Sequence, residues 1–558
     1  MMADISTVLE EQFRKKIRGK NKGAISAVIF DDEKILFSFR DGWIDKEKRL
    51  PPREDSLFMI GSNTKVLTSL GIFRLVEDGV LKLEDPITKY IPEFSVKSRI
   101  GEYEITVENL LMHRAGIQCD LYPYISGSHY HYTDIIDALK GTYRTSVPGT
   151  MFSYSNLGYA LLGIIIERAS GKPYPEFMQE KLLSPLDMEV YFQREEDLPD
   201  SVRDRVARSY DRNGKRVIDP LGVLVPAGSN TYTTLESLAK IGQLFMNEGV
   251  YKGKRLYKKE TLQRMRTLKI QDEWDKELAI VGYGLYYRRF KPSYVTEQPI
   301  GHGGATVYHH SSFDLLPDSK AGIIVFSNFE TARPVVNAVE SDLFDTYLGE
   351  LGFTKKTRKR AGYPSFDPNR YVKKYDTMFG PLDFTVSEKG QLVTNFAGMP
   401  LLLRLDNQGW LKPFPFPDAS EGKRLPGPLR NTRLCQTSYC GTPVLIADQA
   451  GVKTAIGQQY EEPLVSPLWL DALGTYLYPD NTYDWAIEKA ELSLRDGKLV
   501  LSLTIENVDN LLYLSAVDDT EAIVKGFGRN MKETVFLGKN GDRFTLTVMG
   551  LTLEHTGR

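Results

Sequence analysis

The sequence predicts an α+β fold, in which one antiparallel sheet carries an inserted helical region and is followed by antiparallel β-barrel domains. Two observations predict the first part: strand signals occur over residues 24–39 and again over residues 283–326, and helical periodicity lies between them. The barrels are predicted from the chain beyond residue 366, where short alternating runs rich in Gly, Pro, Asn and Asp replace that periodicity. A chain of 558 residues is long enough for several domains.

The first predicted elements are a β-hairpin and a helix. Residues 24–30 are small or β-branched, residues 31–34 supply a turn, and residues 35–39 return along the first strand. Apolar side chains then recur at helical spacing over residues 65–76, and Gly79 ends this helix.

Two further helices and a second group of strands follow. One helix begins after Asn156 and ends at Gly171, and a capping box at residues 233–236 opens another that runs to Met246. Strands are then predicted at residues 283–288, 305–308, 313–316 and 323–326. Because strands occur at both ends of this region, we expect its first and last strands to meet in one sheet.

The chain is predicted to divide into an α+β domain over residues 1–352, a linker over residues 353–366, and β-barrel domains over residues 367–460 and 461–558. The linker contains a basic run at residues 355–360, which is too short to indicate a nucleic-acid site. Weak similarity between two halves of the C-terminal region favours two barrels, and a single lipocalin-like barrel of about 190 residues is the alternative.

Charge and cysteine content exclude several classes of protein. The chain has 71 basic and 73 acidic side chains, a net charge of −2, which argues against a nucleic-acid partner. Three cysteines cannot form a disulfide framework, and free thiols at Cys435 and Cys440 are favoured over a bridge between them. The sequence lacks a signal-peptide core and a membrane-spanning run, so we expect a cytoplasmic protein with no membrane partner. A homodimer is left open.

Ser62-Asn63-Thr64-Lys65 is a Ser-x-x-Lys motif at the start of a predicted helix. Residues three apart lie on one helical face, which places the ammonium of Lys65 beside the hydroxyl of Ser62. The helix N-terminus favours developing negative charge, and a desolvated lysine can accept the serine proton near neutral pH. The same pattern occurs at residues 237–240 and 420–423, but there it lies inside a helix and in a Pro-rich loop.

Two further motifs complete a set. Tyr154-Ser155-Asn156 supplies a phenol that can transfer protons and an amide that can bind a substrate amide. His302-Gly303-Gly304 is predicted to precede a strand, where its glycines allow close approach of a substrate backbone. Taken singly, each of the two is more typical of a turn.

Together, in this order, the three motifs resemble those of the serine hydrolases that share the β-lactamase/transpeptidase-like fold, in particular the class C-like and D-aminopeptidase branch of the penicillin-binding proteins. Flanking segments resemble the same family, namely residues 58–62, 110–116, 148–158, 226–228, 283–285 and 301–304. The resemblance covers about residues 8–350, and the C-terminal region resembles the two barrel domains of D-aminopeptidases more weakly.

The resemblance implies an acyl-enzyme mechanism that needs no cofactor or metal. Ser62 would attack a carbonyl carbon, and Lys65 and Tyr154 would take its proton and pass it to the leaving group. The backbone N–H groups of Ser62 and Ala305 would form the oxyanion hole. Water activated by Tyr154 would then release the acid, unless another nucleophile made the enzyme an acyltransferase.

Three residues are assigned to substrate binding on the same basis: Asn156, which would also orient Lys65, His302 and Gly304. His302 departs from the lysine that β-lactamases and carboxypeptidases usually carry at that position. A neutral histidine is a weaker anchor for a carboxylate, so we expect poor turnover of penicillin.

The activity expected from this resemblance is hydrolysis of short peptides or amides that begin with a D-amino acid. A carboxylesterase or acyltransferase on the same fold is the alternative, because the acyl-enzyme chemistry is shared. A β-lactamase and a catalytically retired binding protein are less favoured.

The other histidines and one loop are not assigned a catalytic or metal-binding role. His129 and His131 lack a third ligand at zinc-binding spacing, so no metal site is predicted. His113 is interpreted as a loop support, and neither His309 nor His310 is assigned a role. In D-aminopeptidases a barrel loop reaches the catalytic cleft, and whether residues 478–485 do so here is left open.

Overall fold

The computed structural model describes residues 5–557, apart from residues 126–130, 221–224, 229, 288–296, 298, 354–361, 378–379, 397, 417–424, 426, 480–486, 488, 496 and 506–507. The helices of its first 353 residues are α1 (Ile5–Ile17), α2 (Thr64–Glu77), α3 (Val107–Leu111), α4 (Tyr122–Ile125), α5 (Ile135–Leu139), α6 (Asn156–Ser170), α7 (Tyr174–Met178), α8 (Leu235–Met246), α9 (Lys259–Arg266) and α10 (Arg333–Glu350).

The strands of the same region are β1 (Ala24–Phe30), β2 (Ile35–Gly42), β3 (Phe58–Met59), β4 (Val190–Phe192), β5 (Ser209–Tyr210), β6 (Arg216–Val217), β7 (Thr231–Thr233), β8 (Val250–Tyr251), β9 (Lys254–Arg255), β10 (Ile280–Val281), β11 (Tyr286–Tyr287), β12 (Ile300–Ala305), β13 (His310–Leu316) and β14 (Ala321–Ser327). Seven of them form one antiparallel sheet in the order β10-β11-β12-β13-β14-β1-β2.

The central strands of this sheet join the two ends of the region. β1 pairs with the hairpin strand β2 on one side and with β14 on the other, from Ile25 opposite Ser327 to Phe30 opposite Gly322. Every residue of β1 is buried, because both faces of the sheet are covered. The predicted hairpin and the predicted meeting of the two sequence ends are confirmed.

Alternate residues of β1 belong to two hydrophobic cores. Ile25 and Ile29 pack with α1 and α10 on one face. Val28 and Phe30 face the larger core, which contains α2, α6 and α8. The predicted helices are therefore the ones that cover the sheet and carry the first two motifs.

Two details differ from the sequence-based expectation. The N-cap of α8 is Thr234, whose hydroxyl accepts a hydrogen bond from the Ser237 amide at 2.9 Å, and Glu236 forms an ion pair with Arg40 instead of closing a capping box. The strand predicted at residues 305–308 is wrong: β12 ends at Ala305, and the Thr306 amide donates to the His309 carbonyl in a turn.

The error at β12 has a physical cause. Its residues include three glycines, which have low strand propensity, so the local pattern does not indicate a strand. Pairing with β13 along the whole of β12 imposes the extended conformation instead. The third motif consequently lies within a strand rather than before one. Likewise, only Tyr286–Tyr287 of the strand predicted at 283–288 are in β11, and residue 288 lies outside the described residues.

The C-terminal region contains two separate sheets. The first has nine strands in the order β16-β15-β23-β22-β21-β20-β19-β18-β17, and the second is a closed eight-stranded barrel, β24 to β31. Their strands are β15 (Lys374–Thr377), β16 (Gly380–Asp383), β17 (Thr385–Val386), β18 (Leu392–Phe396), β19 (Met399–Leu405), β20 (Leu411–Pro415), β21 (Thr432–Tyr439), β22 (Thr442–Gln449), β23 (Val452–Gln459), β24 (Gly474–Leu477), β25 (Lys489–Arg495), β26 (Lys498–Ile505), β27 (Val508–Ala516), β28 (Glu521–Val524), β29 (Thr534–Asn540), β30 (Arg543–Val548) and β31 (Leu551–His555). Two short helices accompany them, α11 (Gly427–Arg430) and α12 (Pro467–Asp471).

The described residues form two sheets and not the single barrel that the sequence left as an alternative. The second sheet confirms an antiparallel barrel after the α+β region, whereas the first, predicted as a barrel over residues 367–460, is a nine-stranded sheet in the described structure. The exact domain limits stay a prediction, because residues 354–361, with the basic run, lie outside the described residues. All three cysteines are free, as predicted. Within the described residues, no helix combines the length and the apolar character needed to cross a membrane.

A buried ion pair of the first region is hydrogen-bonded to the nine-stranded sheet through a tyrosine. The Arg114 guanidinium donates to Asp275 at 2.7 Å, and both side chains are almost completely buried. The Tyr439 hydroxyl, from β21, donates to the same carboxylate oxygen at 2.7 Å. A buried carboxylate that satisfies two partners is costly to remove, because its loss leaves the guanidinium without a counter-charge.

We expect Asp275→Asn to lower the free energy of unfolding by about 3–5 kcal/mol, because Arg114 would stay buried without its counter-charge. The measurement is the midpoint of urea unfolding. The matched control is Glu93→Gln, which removes a half-exposed pair with Arg168 and is expected to cost less than about 1 kcal/mol. Equal losses in the two variants would show that the buried pair contributes no more than an exposed one.

Candidate active site

The nucleophile motif lies where a tight turn enters α2. Residues 61–63 form a single 3-10 turn, so Ser62 is in the first turn of the helical segment. Gly61 has φ +52°, and a methyl group on it would lie 2.7 Å from the backbone nitrogen of Ala305. Only glycine leaves this space, so the turn brings the first motif against the end of β12.

Lys65 lies one turn later and points back at the nucleophile. Its Nζ donates to the Ser62 hydroxyl at 2.9 Å, to Asn156 Oδ1 at 2.7 Å and to the Ala227 carbonyl. The side chain is completely buried. Burial lowers the pKa of Lys65 well below its usual value, and the nearby Arg529 lowers it further, while Asp120 opposes the change. The neutral form of the amine is therefore easier to populate, and a general base must be in that form to accept a proton.

Tyr154 precedes α6 and is held by an aromatic stack. Its ring lies 4.3 Å from the ring of His113 and 6.1 Å from that of His302, measured between centroids. The Lys65 Nζ is 5.0 Å from the Tyr154 centroid. Burial raises the pKa of Tyr154 well above its usual value, aided by the neighbouring Tyr286, whereas the Ser62 hydroxyl and Arg529 partly oppose the rise.

The Tyr154 phenol oxygen is buried and forms no hydrogen bond of standard geometry with any residue that the structure describes. The Ser62 hydroxyl is nevertheless close enough to lower the pKa of this phenol. Burial disfavours the phenolate, so the phenol keeps its proton until an acceptor is present. A protonated phenol beside the nucleophile can then act as a proton donor.

Asn156 links Lys65 to a buried carboxylate. Its Oδ1 accepts from Lys65, and its Nδ2 donates to Asp120 Oδ1 at 2.7 Å. A carboxylate can only accept, so Asp120 takes the nitrogen of the Asn156 amide and the amide oxygen faces Lys65.

The third motif supplies the far wall of the site. His302, Gly304 and Ala305 all lie on β12, next to the nucleophile turn. A methyl group on Gly304 would lie 1.9 Å from the Ile60 carbonyl oxygen, so glycine is required for the strand to approach that turn. β11 pairs only with Ile300 and the following residue of β12. The pairing of β11 with β12 ends there, and an extended substrate could dock along the edge beyond it.

Three of the remaining histidines form hydrogen bonds within the first region. His113 has φ +52°, and its Nδ1 accepts a hydrogen bond from the Ser155 backbone amide at 2.9 Å, so it supports the second motif as expected. His309 contacts Ser209, and His310 contacts the Glu330 carbonyl. Burial lowers their pKa values to about 3 and about 4.

No group of three or more metal-ligating side chains occurs among the described residues. His131 caps a short turn through Thr133, while His129 lies outside the described residues. The absence of a metal stays a prediction.

Sequence reasoning missed two charged residues of the site, Asp120 and Arg529. They form an ion pair, in which the Arg529 Nε donates to Asp120 Oδ2 at 3.0 Å. Arg529 lies in the connection between β28 and β29, whereas the loop considered from sequence, residues 478–485, lies mostly outside the described residues. No local pattern marks either residue, because 409 positions separate them along the chain.

The chain is similar to a known protein family and to several known proteins. The family model for Beta-lactamase matches residues 10–342. Protein flp of Staphylococcus aureus (strain MW2) is 30% identical over 186 residues, which make up 33% of this chain and 36% of that protein. The chain thus spans little more than a third of the length of that relative. Penicillin-binding protein 4 of Amycolatopsis lactamdurans is 26% identical over 342 residues, 59% of this chain and 85% of that protein.

A solved structure extends the likeness beyond the first region. The octameric penicillin-binding protein homologue from Pyrococcus abyssi is 25% identical, with a TM-score of 0.53, over 79% of this chain and 95% of its own. Because the family model alone matches more than half of the sequence, the chain belongs to the Beta-lactamase family, a family of serine acyl-transferring hydrolases.

Proposed function

We propose that the protein is a serine hydrolase that forms an acyl-enzyme on Ser62 and acts on short peptides or amides with an N-terminal D-amino acid. The observation that supports this most strongly is the 2.9 Å hydrogen bond between the Lys65 Nζ and the Ser62 hydroxyl, made by a completely buried lysine. Among the described residues no carboxylate pairs with this lysine, and a buried lysine of lowered basicity beside a hydroxyl is typical of a catalytic base.

In the proposed acylation step, the neutral Lys65 amine takes the proton of Ser62 as its oxygen bonds to the substrate carbonyl carbon. The tetrahedral oxyanion lies against the backbone N–H groups of Ser62 and Ala305. Tyr154 then gives its phenolic proton to the leaving amine, and the bond from carbon to nitrogen breaks. The opposite pKa shifts of Lys65 and Tyr154 suit this division into base and acid.

Deacylation restores both groups. The Tyr154 phenolate takes a proton from water, whose oxygen bonds to the acyl carbon, and the Ser62 oxygen leaves with the proton that Lys65 holds. The lysine is then neutral and the tyrosine protonated, as at the start. An amine or alcohol in place of water would give acyl transfer by the same steps.

The proposed substrate preference rests on the motifs and on His302. Its Nδ1 lies 2.6 Å from the Gly303 carbonyl, so this nitrogen carries a proton and donates it to the backbone. A histidine, unlike a lysine, offers no permanent positive charge to a substrate carboxylate. We therefore expect a plain penicillin to be turned over far more slowly than the best uncharged amide or ester, and comparison of their kcat/KM values checks this.

The same observation also fits an esterase. Uncharged esters need no cation to bind a carboxylate, and their leaving groups depend less on protonation by a general acid. The discriminating experiment compares D-alanine p-nitroanilide with p-nitrophenyl butyrate on the full chain, with Ser62→Ala as control. We expect the anilide to be cleaved with a kcat/KM within about tenfold of the ester, a barrier difference of roughly 1.4 kcal/mol. Cleavage of the ester alone, lost in Ser62→Ala, would favour the carboxylesterase or acyltransferase instead.

A further inference from the structure

One connection of the closed barrel, residues 525–533, joins β28 to β29 and contacts the first region beside the candidate active site. It packs on residues 118–122, here called the site strip. The Cys119 amide donates to Glu533 Oε1 at 2.8 Å, and the Asn530 amide donates to the Cys119 sulfur at 3.4 Å. Glu533 is buried by this contact. The barrel thus fixes the position of the site strip.

The site strip in turn holds the second motif. The backbone amide of Asn156 donates to the Cys119 carbonyl at 3.0 Å, and the Ser155 hydroxyl donates to the Gln118 carbonyl at 2.9 Å. These bonds fix the start of α6, and therefore the direction in which Asn156 and the preceding Tyr154 project. A chain of hydrogen bonds runs from the barrel through the site strip to the start of α6.

A parallel chain of side chains ends at the nucleophile. Arg529 donates to one oxygen of Asp120 at 3.0 Å, and Asn156 donates to the other at 2.7 Å. Asn156 accepts from Lys65, which donates to Ser62. Asp120 is 4% exposed, so its charge needs both partners.

We propose that Arg529 and Asp120 are a positioning pair through which the C-terminal barrel completes the active site, holding Asn156 and Lys65 in register with Ser62. This inference rests on the proposed roles of Ser62 and Lys65. Neither member of the pair hydrogen-bonds to the Ser62 hydroxyl among the described contacts. They act through Asn156, and the Arg529 guanidinium also lies 5.6 Å from the centre of the Tyr154 ring.

The two charges act on Lys65 in opposite directions. Asp120 raises the pKa of Lys65, and Arg529 lowers it. About half of the Arg529 side chain (48%) is exposed to solvent, so solvent partly screens its effect on the pKa of Lys65. The other titratable groups that face Lys65 or the pair are Tyr122, Tyr154, Tyr159, His113, Cys119 and Glu533.

The opposite signs give a test that needs no knowledge of the substrate. The readout is the second-order rate at which a fluorophosphonate labels Ser62 of the full chain, as a function of pH. In this reaction the bond from the Ser62 oxygen to phosphorus forms, the bond from phosphorus to fluorine breaks, and Lys65 takes the hydroxyl proton. The rate therefore rises with pH as Lys65 loses its proton, which gives an acid limb.

We expect Asp120→Asn to move that limb to lower pH and Arg529→Gln to move it to higher pH, each by about half a pH unit, or about threefold in rate at a fixed acidic pH. The double variant is expected to return towards the wild-type position, because both charges are then absent. Arg529→Lys keeps the charge and is expected to keep the limb in place. If Asp120→Asn does not fold, the contrast between Arg529→Gln and Arg529→Lys carries the test alone.

Two controls separate positioning from docking. Arg99→Gln breaks another ion pair with the barrel, that with Glu521, and is expected to leave the limb unmoved. Burial raises the pKa of Glu533 to about 7, so the series is repeated in Glu533→Gln, where the opposite shifts must persist. Unshifted limbs, or shifts of one sign in both single variants, would overturn the inference while labelling of Ser62 still supports the proposed function. Absence of labelling in the wild type would instead remove the proposed function itself.

Discussion

Ser62→Ala is expected to lower kcat/KM by about 10⁴-fold or more, whichever of the anilide and the ester is the better substrate. Without the hydroxyl no acyl-enzyme can form, and the residual rate reflects binding and the oxyanion site alone. The loss should appear in kcat, since the interaction removed is made only in the reaction. The measurement is steady-state kinetics on the full chain.

The chain offers a matched control for this variant. Ser237 begins a second Ser-x-x-Lys pattern, but it lies inside α8 and its hydroxyl accepts only from the Glu189 amide, at 3.0 Å, among the contacts described. Ser237→Ala is expected to keep near wild-type activity. Comparable losses in both variants would mean that the effect of Ser62→Ala is not catalytic.

Lys65→Met is expected to lower kcat/KM by about 10²- to 10⁴-fold, the range that loss of a general base produces. Methionine fills a similar volume in a completely buried position, so the change removes the base with little loss of packing. Because burial lowers the pKa of Lys65, the wild-type rate should rise with pH through that lowered pKa as the amine becomes neutral. The variant should lose this rise.

The measurement is the pH profile of kcat/KM for both proteins, with Lys240→Met as the control from the second Ser-x-x-Lys pattern. Lys240 contacts the Asp187 carbonyl at the surface and is expected to leave the profile unchanged. A Lys65→Met variant that keeps the wild-type pH dependence would assign the titration to another group, with Tyr154 the first to test.

Much of the fold could be predicted from the sequence, because its signals are local. The hairpin of β1 and β2, the apolar periodicity of α2 and α6, and the glycine that ends α6 are all confirmed by the structure. Strand β12 could not be predicted, because its glycines fit the nucleophile turn and not any local preference. Its extended form depends on pairing with β13, which is a non-local interaction.

The same contrast applies to the site. The structure brings together the three motifs quoted from the sequence, with Lys65 contacting both Ser62 and Asn156. Asp120 and Arg529 could not be found in this way, since each is an ordinary charged residue until the barrel packs on the site strip. Tertiary contact between distant segments gives them their position, and no sequence spacing encodes it.

The central claim, that Ser62 is an activated nucleophile, is tested most directly by labelling the folded full chain with a fluorophosphonate and locating the adduct by peptide mass spectrometry. The account predicts one adduct per chain, on Ser62, formed far more slowly in Lys65→Met and at the wild-type rate in Ser237→Ala. A folded protein that carries no adduct on Ser62, or that labels equally well without Lys65, would contradict it and favour a binding protein that has retired its catalytic site.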